Sequence, residues 1–202
     1  VARRLPYRVQ HDEVDAQRAL DFIRPDESIT VNIGPATDAI WDELVANQGT
    51  AATGLTEFVK GNVKARQRMI AQYAVAGARG MLVVGTDQAA EAVVGFYTKC
   101  GDGGADVTPL AGLPKRRVRE LATWLGAEPG LVEKTPTADL ESDRPLQPDE
   151  VALGVSYTDI DTYLETDQPL TDAARTRLEH LWQVGEHKRH LPITPFDTWW
   201  RA

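Results

Sequence analysis

The sequence predicts an α/β fold, a doubly wound parallel sheet flanked by helices, and three observations predict it. Strand-like and helix-like stretches alternate through the first half of the chain. The strand-like runs are apolar and β-branched enough to be buried on both faces, as parallel strands are. The chain has 202 residues, 42% hydrophobic and 26% charged, which is the size and balance of one ordinary globular domain spanning residues 1–202.

Taken in order, VARRLPY reads as the end of a strand passing into a loop, and DEVDAQRALDFI as a helix with an acidic first turn. Pro25 and Asp26 stop that helix. SITVNI, alternating and β-branched, is the next strand. A helix from about Asp38 to Ala46 leads to a Gly/Thr-rich break around Gly49 to Gly54. Asn62 is placed to cap a long amphipathic helix through Ala65, Met69, Ile70 and Tyr73 that runs to Gly77. Met81 to Val84 form a third strand, after which Thr86 and Asp87 offer short polar side chains to the free amides of another helix. Beyond residue 106 helices dominate. PKRRVRELATWLGA is amphipathic through Val118, Leu121, Ala122 and Leu125 and ends at Gly126. YTDIDTYLE and TDAARTRLEHLWQVGEHKR are two more, the latter with Leu178, Leu181 and Trp182 on one face. Thr135 to Glu150, rich in proline and acid, packs as no regular element and reads equally as a solvated linker or as a lid. Trp199 and Trp200 read as anchors of the C-terminus.

The chemistry concentrates in VVGTDQAAEAVVGFYTKCGDGGAD, residues 83–106: a strand end, an acidic helix and a glycine-rich acidic loop without a break. The ligand side of an open α/β sheet lies at such strand ends. Glu91, among small and apolar neighbours, is either a solvated helix residue or a ligand for a hard metal ion. Three glycines beside two aspartates make an expensive loop unless backbone must approach something closely. The loop is not a dinucleotide fingerprint, because its glycines follow a helix instead of preceding one.

Composition excludes several classes. A net charge of −8 argues against a nucleic-acid binder, while local cations (Lys115, Arg116, Arg117 and Arg119; Lys60, Lys64, Arg66 and Arg68) suit the phosphates of a small nucleotide. No apolar run approaches the roughly 20 residues of a membrane span. One cysteine, Cys100, allows neither an internal disulfide nor a thiolate metal site and fits a reducing, cytoplasmic location. His187 and His190 have no third ligand at a helpful spacing for zinc, and no Ser, His and Asp trio or activated cysteine supports a covalent nucleophile.

These residues resemble ammonia-dependent NAD synthetase, a member of the N-type ATP pyrophosphatases. The resemblance rests on GTD with a glutamate five residues on, TK, GDGGAD, RLPYRVQHDEVD, GNVKARQRM, PTADLESDRPLQPDEVALG, EHKR and FDTWW, in order across essentially the whole chain. It implies an adenine-nucleotide alpha-hydrolase-like fold. It further implies adenylation of the nicotinate carboxylate of deamido-NAD by ATP with Mg2+, expulsion of pyrophosphate, and displacement of AMP by ammonia. Carried over residue by residue, the ATP site falls on Arg4, Thr86, Lys115 and Thr137, and the magnesium ligand on Glu91. The deamido-NAD contacts fall on Arg66, Lys99, Asp106, His187 and Lys188, and Gln10 belongs to a loop that closes over the reacting centre. A homodimer with deamido-NAD at its interface is expected, with no nucleic acid and no membrane as partner.

Members of the family also carry an earlier strand ending in an SGGxDS phosphate loop. None of the 202 residues spells that loop, so the expectation is a synthetase domain without its first strand. Gln88 stands where relatives have His, Cys100 where they have an aromatic residue, and Arg8 where they have Gly. Two alternatives remain beside the synthetase: an ATP pyrophosphatase adenylating another substrate, and a non-catalytic nucleotide-binding or dimer-forming module.

Overall fold

A computed structural model describes residues 1–10, 12–47, 54–138, 140–166, 168–190 and 192–198. Strand β1 (Ala2–Arg4) pairs in parallel with β2 (Ser28–Thr30), in the register Ala2 to Ser28 and Arg4 to Thr30. Val31 and Ile33 continue the pairing by donating to the carbonyls of Arg4 and Pro6. The connection between the strands is α1 (Glu13–Ile23), closed by Arg24 in the left-handed region just before Pro25. A parallel pair needs such a crossover, so strand, helix, strand is the unit on which the rest is laid.

Helix α2 (Gly34–Asn47) begins earlier than the expected Asp38. Its first turn closes because both the amide and the hydroxyl of buried Thr37 return to the carbonyl of Ile33. Helix α3 (Glu57–Arg79) is the longest. Thr56, not Asn62, is its N-cap, accepting from the amide of Val59. Asn62 lies a turn inside, donating to the carbonyl of Phe58 and accepting from the hydroxyl of Thr98 at 2.7 Å. The helix also runs past Gly77 to a left-handed Gly80.

The expected third strand is reduced to one parallel bridge between Val84 and Val107. Pairing ends where the chain reaches Pro109, which has no N–H to extend it. Leu82 and Val84 stay mostly exposed. The principal apolar core therefore lies elsewhere. Ala90, Val93 and Val94 of α4 (Ala89–Val94) pack with Leu153, Val155, Tyr157 and Ile160, and with Leu178 and Leu181. These come from α7 (Asp149–Leu153), α8 (Tyr157–Glu165), α9 (Asp172–Val184) and the segment joining α7 to α8. Helices α5 (Lys115–Trp124) and α6 (Pro129–Val132) flank this core, and the short α10 (Glu186–Arg189) follows α9 after a break at Gly185. Among the described residues no helix is long and apolar enough to cross a membrane. Trp199 and Trp200, read as C-terminal anchors, lie outside the described residues.

Candidate functional site

Helix α4 brings Glu91 into place by using it twice. Its Oε2 accepts the amide of Gln88, the N-cap, at 3.1 Å, so the cap is Gln88 with Glu91 and not Thr86 or Asp87. The same carboxylate lines a cavity of about 380 Å³ with Lys115, Arg119, Lys134, Thr137 and Asp149. Burial raises the Glu91 pKa to about 7; the Gln88 amide and the Lys115 charge oppose the rise, and Asp87 and Asp102 add to it. Asp87 is itself raised to about 6, by burial and by the charge of Asp102.

Lys115 owes its position to α8. The carboxylate of Asp161 accepts the amides of Lys115 (2.9 Å) and Arg116 (2.8 Å), satisfying two free donors at the start of α5 from a different helix. The Lys115 ammonium then lies 5.0 Å from the centre of the Tyr157 ring. Tyr157 donates its hydroxyl to Asp149 Oδ2 at 2.9 Å, while Asp149 Oδ1 is buried without a hydrogen bond among the described residues. Burial pushes the Asp149 carboxyl up, against the Tyr157 hydrogen bond and the Lys115 charge.

Two further cavities continue from the first. One, of about 360 Å³, is lined by Arg4, Gln10, Asp12, Glu13, Arg68 and Thr137. The other, of about 320 Å³, is lined by Tyr7, Gln10, Lys64, Arg68, Ser142 and Pro145. Thr137 belongs to the first and second, and Gln10 and Arg68 to the second and third, so the three adjoin and together are called the groove. Arg4, Gln10, Glu91, Lys115 and Thr137, expected from four separate stretches, all line it. Arg4 is held in an ion pair with Glu13. Thr86 is exposed and borders none of the three cavities. A larger cavity, of about 670 Å³ between α5, α6 and α8, takes in none of the expected residues, and Arg116 on its wall is committed to Glu165.

The second expected group gathers around the segment that follows α4. Arg66 donates to the carbonyl of Lys99 (3.3 Å), and Lys99 to the carbonyl of His187 (2.8 Å). Lys188 donates to the carbonyls of Gly95 and Tyr97, both at 2.8 Å. Burial lowers the Lys188 pKa, against the pull of Asp102, and burial with the neighbouring cations lowers that of His187. Asp106 stands apart from this cationic group. Its carboxylate accepts the amide of Val83 (2.7 Å) and the hydroxyl of Tyr73 (3.4 Å), closing the GDGGAD loop back onto the Val84 bridge. The glycines of that loop meet protein: a methyl group at Gly103 would lie 2.5 Å from the Tyr97 ring, and one at Gly101 2.8 Å from the Thr98 side chain. Close packing therefore accounts for them without a ligand.

Sequence reasoning did not single out Asp149, Tyr157 or Asp161 as site residues, and it placed Lys64 only among the cations of one helix that suit phosphates. Their signal is tertiary, since each acts on a partner brought from another element. Among the described residues no three His, Cys, Asp or Glu side chains are arranged to hold a metal ion by themselves.

Comparison with known proteins gives the family. The sequence model of the NAD synthase family matches residues 1–192. The NH3-dependent NAD+ synthetase of Corynebacterium glutamicum (strain R) is 58% identical over 200 residues, covering 99% of this chain and 72% of that protein. That of Deinococcus radiodurans is 58% identical over 201 residues, covering 100% and 69%. Among solved structures, the NAD+ synthetase of Burkholderia pseudomallei superposes with a TM-score of 0.74 at 54% identity, over 95% of this chain and 69% of that one. The NMN synthetase of Francisella tularensis gives a TM-score of 0.84 at 34% identity, over 97% and 78%. With its α/β fold, its groove and matches of this extent, the chain belongs to the NAD synthase family.

Proposed function

We propose that the protein makes NAD from deamido-NAD, ATP and ammonia, releasing AMP and pyrophosphate. The observation that carries the reading is the convergence of Arg4, Gln10, Glu91, Lys115 and Thr137 on adjoining cavities that share Thr137. In it Lys115 and Arg4 face the phosphates of ATP, and Thr137 offers a hydroxyl at the junction of two cavities. Positioning is most of the catalysis. An oxygen of the nicotinate carboxylate attacks the α-phosphorus and pyrophosphate leaves; ammonia then attacks the acyl carbon, AMP departs with the bridging oxygen, and the nitrogen loses a proton to solvent.

Glu91 suits magnesium in the way that ion is commonly bound, by one or two protein carboxylates together with substrate phosphates. Bound there, the ion supplies positive charge to the phosphate oxygens, and Glu91, now facing a cation, ionises below the value of about 7 that burial gives it. Asp149 is a second carboxylate on the same wall.

Arg66, Lys99, His187 and Lys188 form the deamido-NAD contact in this reading, and a second copy of the chain completes it. Exposed Phe58 and Ile70 on α3 offer apolar surface for that two-fold contact. A single sedimenting species of monomer mass at micromolar concentration would contradict the dimer.

The function is tested by following NAD formation from ATP, magnesium and deamido-NAD, once with ammonium and once with glutamine. Activity with ammonium alone is expected, rising with pH at a fixed subsaturating total because only unprotonated ammonia is a nucleophile. Nicotinate mononucleotide is offered in parallel. Identities of 54% and 58% to NAD+ synthetases against 34% to the NMN synthetase favour the dinucleotide, and faster turnover of the mononucleotide would reverse that choice.

A further inference from the structure

Helix α3 serves as a track on which two distant segments are laid, and Lys64 is the residue common to both. Along one stripe, at intervals of four residues, Lys64 lies under the Tyr7 ring (4.4 Å from Nζ to its centre), Arg68 donates to the carbonyl of Leu5 (3.0 Å), and the carbonyl of Gln72 accepts from Arg3 (2.8 Å). These contacts seat residues 3–7, immediately before Gln10. Along a second stripe, Glu57 accepts the amide of Ser142 (3.2 Å), Gly61 leaves room for Leu140, and Lys64 donates to the carbonyl of Leu140 (2.7 Å) and the hydroxyl of Ser142 (2.9 Å). A methyl group at Gly61 would sit 3.0 Å from Leu140 Cβ. Lys64 is only 2% exposed. Its ammonium is thus held between the segment that carries Gln10 and the proline-rich segment that includes Ser142 and Pro145. Both segments wall the same cavity.

We propose that Lys64 is a positioning residue that couples these two segments, so that residues 5–10 and 140–147 hold one wall of the ATP groove as one unit. A single buried cation carries the coupling. It needs the Tyr7 ring on one side and the Leu140 carbonyl on the other to compensate for its burial, so loosening either contact weakens the other. Tyr7 is fixed in turn by its hydroxyl on Asp38 (2.6 Å), which also pairs with Arg8 (2.7 Å) and Lys60 (3.5 Å). The inference rests on ATP occupying the groove.

The experiment measures amide hydrogen exchange in residues 5–10 and 140–147 of the intact protein, with and without magnesium-ATP, alongside the KM for ATP and for deamido-NAD. In the wild type, ATP should slow exchange in both segments. Lys64→Met, which keeps the stem and removes the cation, should abolish that protection in both and raise the KM for ATP about tenfold. The KM for deamido-NAD should stay within about twofold, because none of its proposed contacts lines the cavities that hold Tyr7, Gln10 and Ser142. Tyr7→Leu leaves the hydrogen bonds of Lys64 in place and should still speed exchange in 140–147, and Ser142→Ala should speed it in 5–10. These two variants decide the matter if Lys64→Met does not fold. Loosening confined to the mutated segment, or ATP protection that survives Lys64→Met, would overturn the coupling while leaving the groove intact. No effect of ATP on the wild type would overturn the groove reading and the coupling with it.

Discussion

Replacing Glu91 by Gln should raise the stability of the free protein in a pH-dependent way while removing most turnover. The groove holds this carboxylate where ionisation is unfavourable, and moving its pKa from 4.5 to about 7 costs the ionised form about 3 kcal/mol. The sign follows from proton linkage. The native pKa is raised, so the folded state holds the proton more tightly, and the associated stability is fully present below pH 4.5 and lost as pH rises to about 7. Gln keeps an oxygen to accept the Gln88 amide and never bears the charge. Glu91→Gln should therefore exceed the wild type by about 1 kcal/mol at pH 5 and about 3 kcal/mol at pH 8. Urea unfolding of both proteins at the two pH values, without nucleotide, reads the double difference, in which titrating groups that do not sense Glu91 cancel. Magnesium-ATP should narrow the gap by stabilising the wild type alone. Parallel stability curves would show that Glu91 is not desolvated, and unchanged turnover with an unchanged magnesium requirement would remove it from the reaction.

Tyr157→Phe deprives buried Asp149 of its 2.9 Å hydroxyl and should cost about 1–3 kcal/mol in urea unfolding; a change below about 0.5 would mean that the carboxylate is satisfied in another way. Asp161→Ala frees the first two amides of α5 and should cost about 1–2 kcal/mol. It should also raise the KM for ATP through the displaced Lys115, and an unaltered KM would separate Lys115 from the phosphates. Arg8→Gly relieves a side chain held at φ 58°, worth about 1 kcal/mol, and forfeits an exposed ion pair to Asp38 worth less. A small net stabilisation is expected, and a loss above about 1 kcal/mol would show that the ion pair dominates.

The sequence by itself determined those features whose cause is local. The acidic first turn of α1, its stop before Pro25 and the amphipathic α5 follow from side chains within a turn of one another. Family motifs placed Arg4, Gln10, Glu91, Lys115 and Thr137 on the list of site residues, and the groove gathers all five. The tertiary structure decided whatever depends on a partner far along the chain. Asn62 has the chemistry of a helix cap, yet α3 begins at Thr56, because Gly61 inside the helix marks the close approach of Leu140 instead of an end. Met81 to Val84 has the composition of a strand, but strands exist by pairing, and among the described residues only Val107 pairs with Val84. Thr86 matches its motif and still lies outside the groove, since a motif fixes residue type and not the direction in which the backbone turns after Gly85. The burial that shifts Glu91, the carboxylate of Asp161 that seats Lys115, and the reach of Lys64 to a carbonyl 76 residues away are products of packing between elements, and no local pattern in the sequence encodes them.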